Sequence, residues 1–195
     1  MPGTLLGSGS TFKEGFDMKI WETCCKCLIG KLAHRHVLWS GEFKPQIIFI
    51  GEGPGRVEDV FGKPFVGPAG KLLRLAISIA EERSENKPTM GFTNLIACRP
   101  AQDIGALNRQ PSLTEIHNCR PRLIALLQKM RPKVVVFCGR LPFELGKPVL
   151  ALAQVEAQIF EIPHPAAILR KGGQEAENWD WYIGRIEDAL SVACG

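Results

Sequence analysis

The sequence predicts an α/β fold, a three-layer sandwich with a central, mainly parallel four-stranded sheet flanked by helices. Three observations carry this expectation. Short apolar runs alternate with longer stretches of helical periodicity, the order in which a parallel sheet is laid down with its crossover helices. Two of the runs, Gln46–Ile50 (QIIFI) and Val134–Cys138 (VVVFC), lack the polar–apolar alternation of a half-solvated strand, as strands covered on both faces do. Both end in glycine, GEGPG from Gly51 and Gly139 respectively, and ligands of such folds gather in the loops at the carboxyl ends of the strands.

Taken in chain order, the first ten residues are rich in Gly, Ser and Thr, and residues 1–15 read as a flexible leader. Residues 16–195 then form a single domain, since 195 residues suit one hydrophobic core. After the Gln46–Ile50 strand, Lys71–Glu82 carries Leu72, Leu73, Leu75, Ala76 and Ile79 at helical spacing, a face that packs on a sheet. Gly91–Ala97 reads as a further strand. Ser112 and Glu115 have the S-x-x-E spacing of a capping box just after Pro111, and the helix they start reaches Met130 and leads into the Val134 strand. Ile159–Ile162 is the fourth strand, and Trp179–Val192 a closing amphipathic helix.

Composition narrows the function classes. Apolar residues make up 45% of the chain and charged ones 23%, a balance that buries a core. No apolar run approaches the ~20 residues of a membrane span, and no basic flank with an apolar core marks export. A monomer in the cytoplasm, away from membranes, is the expectation. The formal charge of +4 permits a polyanion partner without requiring one.

Seven cysteines without an export signal point to metal before disulfides. Cys24 and Cys27 have C-x-x-C spacing, and Cys98 and Cys119 flank the loop that contains Asp103, Asn108 and Pro111. Four thiolates suit zinc or an iron–sulfur cluster equally, and spacing does not choose between them. Burial as small apolar residues is the plainer alternative, and it suits Cys138 and Cys194. His34 and His36, an H-x-H pair, are zinc candidates or members of a basic loop with Lys31 and Arg35.

Three motifs say more. GEGPGRVEDVFGKPFVGPAGKLL from Gly51, TNLIACRP from Thr93 and HPAAILR from His164 occur in the order and approximate spacing of the family 4, iron–sulfur uracil-DNA glycosylases, which the chain resembles over roughly residues 20–190. The resemblance implies a glycosylase that flips uracil out of single- or double-stranded DNA and hydrolyses its N-glycosidic bond, leaving an abasic site for base excision repair. It also implies that Cys24, Cys27, Cys98 and Cys119 hold a 4Fe-4S cluster.

Each motif residue has a physical reason within that reading. Gly51 and Gly53 let backbone approach the base closely, and Phe65 offers a ring face for a flipped pyrimidine. Asn94 carries a donor and an acceptor on one amide, the pattern that pairs with uracil O4 and N3–H and rejects cytosine. His164 stands where charge grows on uracil O2 as the bond breaks. Glu52 and Glu58 are the carboxylates that orient water or steady the cationic sugar, and the sequence does not choose between them. Ile168 and Leu169 supply the apolar wedge that enters the duplex, with Arg170 meeting phosphate. Lys26, Lys31, Arg99, Arg109 and Arg120, presented by the cysteine region, are further backbone contacts.

Two departures from the family pattern stand out. The Gly139–His164 stretch is short and interrupted by Pro142 and Pro148, so the strand leading to His164 is expected to be altered. The loop after Cys98-Arg99-Pro100 is long and poor in proline. Other readings are a non-catalytic iron–sulfur DNA-binding or adaptor protein on the same fold, a glycosylase of altered base choice, and a zinc-binding nucleic-acid module.

Overall fold

Parallel strands β2 (Ile47–Gly51), β3 (Met90–Asn94), β4 (Val134–Cys138) and β5 (Gln158–Ile162) form the centre of the computed structural model, which describes residues 18–195 except Ile104. The leader expected over residues 1–15 lies outside the described residues. A further strand, β1 (Ser40–Gly41), pairs antiparallel with β3, so the sheet order is β1-β3-β2-β4-β5. Among the described residues the expected four strands are thus corrected to five. Two residues cannot display a two-residue periodicity, which is why β1 left no trace in the sequence.

Every residue of β2 and β4 is buried, and alternation sorts them between two cores. After the short helices α1 (Lys19–Glu22), α2 (Leu28–Leu32) and α3 (Arg56–Phe61) the chain enters α4 (Pro68–Ser84), and Ile47, Phe49, Val134, Val136 and Cys138 pack toward α4 and α8 (Trp179–Cys194). Ile48, Ile50, Val135 and Phe137 pack toward α5 (Leu113–Met130) and α6 (Arg140–Leu152). The expected three layers are present. Among the described residues no helix is long and apolar enough to cross a membrane.

Local chemistry explains the helix ends. At α5, Ser112 Oγ accepts from the Glu115 N–H at 3.2 Å and Glu115 Oε2 accepts from the Ser112 N–H at 2.8 Å, the reciprocal capping box that the sequence announced. Arg109 forks onto the same carboxylate and holds it below the usual Glu range. Helix α6 runs through both prolines. Pro142 sits in the first turn, where an N–H has no helical partner, and only Pro148 removes an internal bond. Strand β5 therefore pairs regularly with β4 from Gln158 to Ile162 and delivers His164 beyond it. The strand expected at Gly91–Ala97 ends at Asn94. Leu95 N–H then bonds Gly51 O at 2.8 Å, and the chain dives into the second core.

The connection leaving β2 crosses to β3 on one side, whereas the one leaving β4 goes to β5 on the other. Loops at the carboxyl ends thus splay apart and open a crevice above β2.

Candidate active site

In that crevice lies a cavity of about 310 Å³ lined by Gly53, Glu58, Phe65, Asn94, Asn108 and His164, among others. Four separate segments supply these side chains, and the sheet register brings them together. Gly51 stands opposite Asn94 across β2 and β3. A Cβ on Gly51 would lie 2.4 Å from Asn94 Oδ1 and 2.8 Å from Phe65 Cζ, so Gly51 backs the site by making room.

Phe65 adopts a positive φ of 55°, a conformation costing a side-chain-bearing residue on the order of 1–3 kcal/mol. Its neighbours hold it there. Glu58 Oε1 accepts from the N–H groups of Val66 at 3.1 Å and Gly67 at 2.7 Å, and Arg74 Nε donates to Phe65 O at 3.0 Å. The Arg74 guanidinium also lies 4.1 Å from the centre of the Phe92 ring, which meets Phe65 edge-on at 6.0 Å. Buried Glu58 is thus spent on shaping the Phe65 loop.

Asn94 is buried at the end of β3, with its amide on the cavity wall. His164 caps α7 (Pro165–Arg170), its Nδ1 accepting from the Ala166 N–H at 3.2 Å. That bond leaves the proton of a neutral ring on Nε2. Burial, reinforced by Arg170, pulls the His164 pKa below its ordinary value and favours this neutral form. Half-buried Glu52 precedes Gly53 of the wall, and burial raises its carboxyl.

Along α7, Ile168 is 1% exposed and belongs to the first core, so its expected place in the wedge is corrected. A six-residue helix packed on one side must bury one face, and Ile168 is on it. Leu169 and Arg170 remain exposed.

A second, smaller pocket is lined by Cys24, Cys27, Cys98 and Cys119 together with Trp21, His36 and Arg122. Burial pushes the Cys27 and Cys98 thiols up, and mutual repulsion among the sulfurs adds to it. The Ala97 N–H donates to Cys119 Sγ at 3.3 Å. Among the described residues no group of three or more His, Cys, Asp and Glu side chains is placed to hold a single metal ion; the sulfurs stand around a space.

Arg122, fully buried, joins the two pockets. It donates to Leu38 O at 2.8 Å, Thr93 Oγ1 at 3.0 Å and the carbonyl of Asn94 itself. His34 pairs through Nδ1 with Asp59 Oδ2 at 2.8 Å, and His36 Nε2 lies 2.8 Å from Cys24 O, so the H-x-H pair ties the N-terminal segment down. Arg99 is likewise not a phosphate contact as expected, because it is buried and donates to Asn108 Oδ1 at 2.7 Å.

With this geometry in view, comparison with known proteins is decisive. Residues 38–188 match the family model of the uracil DNA glycosylase superfamily. The chain belongs to that superfamily. It is 33% identical over 166 residues to a type-4 uracil-DNA glycosylase of Archaeoglobus fulgidus, covering 75% of this chain and 78% of the relative. A type-4 enzyme of Pyrobaculum aerophilum is 30% identical over 80% of this chain and 84% of its own. One of Saccharolobus solfataricus reaches 40% over 60% of this chain and 51% of its own.

Three side chains of this superfamily member escaped the sequence reading in these roles: Arg74, Asn108 and Arg122. Arg122 follows Cys119 by three residues, one turn along the same helix face, and that spacing was the available signal. Arg74 and Asn108 sit in no motif pattern that marks them.

Proposed function

We propose that this superfamily member is a monofunctional uracil-DNA glycosylase that releases uracil by hydrolysis and leaves an abasic site. The observation that carries this is the joint presence of the Asn94 amide and the His164 ring on one base-sized cavity. Asn94 reads uracil O4 and N3–H. His164, neutral and donating from Nε2, stabilises the negative charge developing on O2. Glu52, its carboxyl raised by burial, orients the attacking water, while Glu58 holds the loop that presents Phe65 to the base. Leu169 fills the gap left by the flipped nucleotide and Arg170 meets a phosphate.

The four thiols would hold a 4Fe-4S cluster, which supplies a structural cross-link. Their donor set fits one, with soft sulfurs around a shared space, an N–H donating to sulfur, and a buried guanidinium nearby to offset negative charge. The protein works as a monomer on DNA in the cytoplasm, residues 16–195 forming one unit.

An oligonucleotide bearing one uracil, treated with alkali after incubation, tests this. The wild type yields strand breaks; Asn94→Ala and His164→Ala each lower kcat about 100-fold or more. Binding of uracil-containing DNA without release by the cluster-loaded wild type would favour the adaptor reading.

A further inference from the structure

A second groove touches the candidate active site. It is lined by Arg140, Glu161, His164, Ala167, Trp181 and Arg185, and it shares His164 with the base cavity. Ala166 lines one cavity and Ala167 the other, so the first turn of α7 forms the sill between them.

Trp181 is the unusual member. Helix α8 buries Trp179, Tyr182 and Ile183 in the first core, yet Trp181 between them is 55% exposed. An exposed indole costs solvation free energy that nothing in the core recovers. Arg185 follows Trp181 by four residues and so shares its face of the helix, and Arg140 opens α6 just after β4. The pairs that these arginines make, Arg140 with Glu144 at 2.7 Å and Arg185 with Asp188 at 3.5 Å, are solvent-exposed. Such pairs are weak and give way readily to a phosphate. Glu161 is the groove's acid, set against the two arginines and Arg170 beyond the sill.

An exposed aromatic ring with cations on either side binds an unpaired base and its phosphates. Resting on the glycosylase reading, we propose that Trp181 is a stacking platform for a base neighbouring the flipped uracil on the same strand, with Arg140 and Arg185 on its phosphates. A strand whose uracil enters beside His164 crosses the sill of α7 directly into this groove. The subsite takes any base, since stacking needs only a π face, and it favours substrates whose neighbouring nucleotide is free to unstack.

The test compares wild type, Trp181→Ala and Trp181→Phe on labelled single-stranded oligonucleotides. One set carries a single uracil, and a second carries a tetrahydrofuran abasic analogue in its place. In each set the base on the 5′ or the 3′ side is present or deleted. Trp181→Ala is expected to weaken binding and raise KM about tenfold with both neighbours present, with kcat unchanged. Deleting the base on one side should lower wild-type affinity to the level of the variant and leave the variant unaffected, and Trp181→Phe should restore most of the loss. Equal binding by wild type and Trp181→Ala overturns the proposal. So does a loss of the same size with and without the neighbouring bases, which would mark a packing role on α8. Absence of uracil release by the wild type, alongside a base-dependent loss on the abasic analogue, leaves the subsite standing and defeats the glycosylase reading instead.

Discussion

The base cavity and the cysteine pocket meet at the segment from Asn94 to Cys98, and they are built in opposite ways. The cavity is assembled from Asn94 at the end of β3 and from loops and helix starts beyond the strands, and its polar groups are aimed by short bonds from neighbours: Glu58 and Arg74 on the Phe65 loop, the Ala166 N–H on His164. The cysteine pocket gathers sulfurs from positions 24, 27, 98 and 119, on segments that the sheet does not align. Burial drives two of its thiols, Cys27 and Cys98, toward the protonated form. One site is held by hydrogen bonds within the protein, whereas the other sets buried sulfurs side by side, an arrangement that in the proposed reading a cluster would stabilise. Arg122 is where they touch.

The largest test of that contrast is Cys98→Ala. Removing the most buried sulfur of the four is expected to abolish iron retention and visible-region absorbance and to leave little folded protein, measured by iron assay and circular dichroism. Folded, active protein without iron would erase the distinction between the two sites. Next comes Arg122→Met, which keeps the volume and strands several buried carbonyl acceptors. A loss of about 3 kcal/mol or more is expected, a fall of roughly 6–12 °C in Tm for a chain of this size. Arg74→Met acts on the cavity only. Freeing the Phe65 carbonyl should lower kcat/KM about tenfold while Tm shifts by a few degrees and iron content stays unchanged.

The smallest effect is the pH profile. In the proposed mechanism Glu52 acts ionised, its pKa raised above the ordinary 4.5 by burial, and His164 acts neutral, its pKa held below 6.5. Both conditions fail on the acid side, so kcat should fall as pH drops from about 6.5 toward 4.5. Glu52→Gln should lower the plateau and leave only the His164 limb. The unfolded chain protonates this histidine before the folded one, so stability also declines as pH drops below about 6.5.

What the sequence revealed follows the same division. The buried strands, the capping box at Ser112 and the motif residues Gly53, Phe65, Asn94 and His164 on the cavity were legible because each belongs to a local mark, an apolar run, an S-x-x-E or a glycine cluster after a strand, whereas Asn108 on the same cavity leaves none. Ile168 was misread because HPAAILR gives no hint of which face of a six-residue helix meets the core. Arg99 looked like a surface cation because sequence does not show a carbonyl or an amide arriving from another part of the loop. Pro142 and Pro148 looked like breaks, yet one falls where a helix needs no donor. Long-range partners, such as those of Arg74 and Arg122, are fixed only by tertiary packing.

Strand β1 is only two residues long, yet it covers one open edge of the sheet. Ser40 and Gly41 occupy the hydrogen-bonding side of β3 that would otherwise present five residues of open ladder. So short a strand offers almost no template of its own. At the opposite edge, Glu161 places a charge on β5, and Arg185 lies 5.8 Å from the centre of the Phe160 ring. A sheet blunted at one edge and charged at the other resists strand-to-strand association. With buried strands of high β propensity at its centre, the protein gains resistance to aggregation from these two edges.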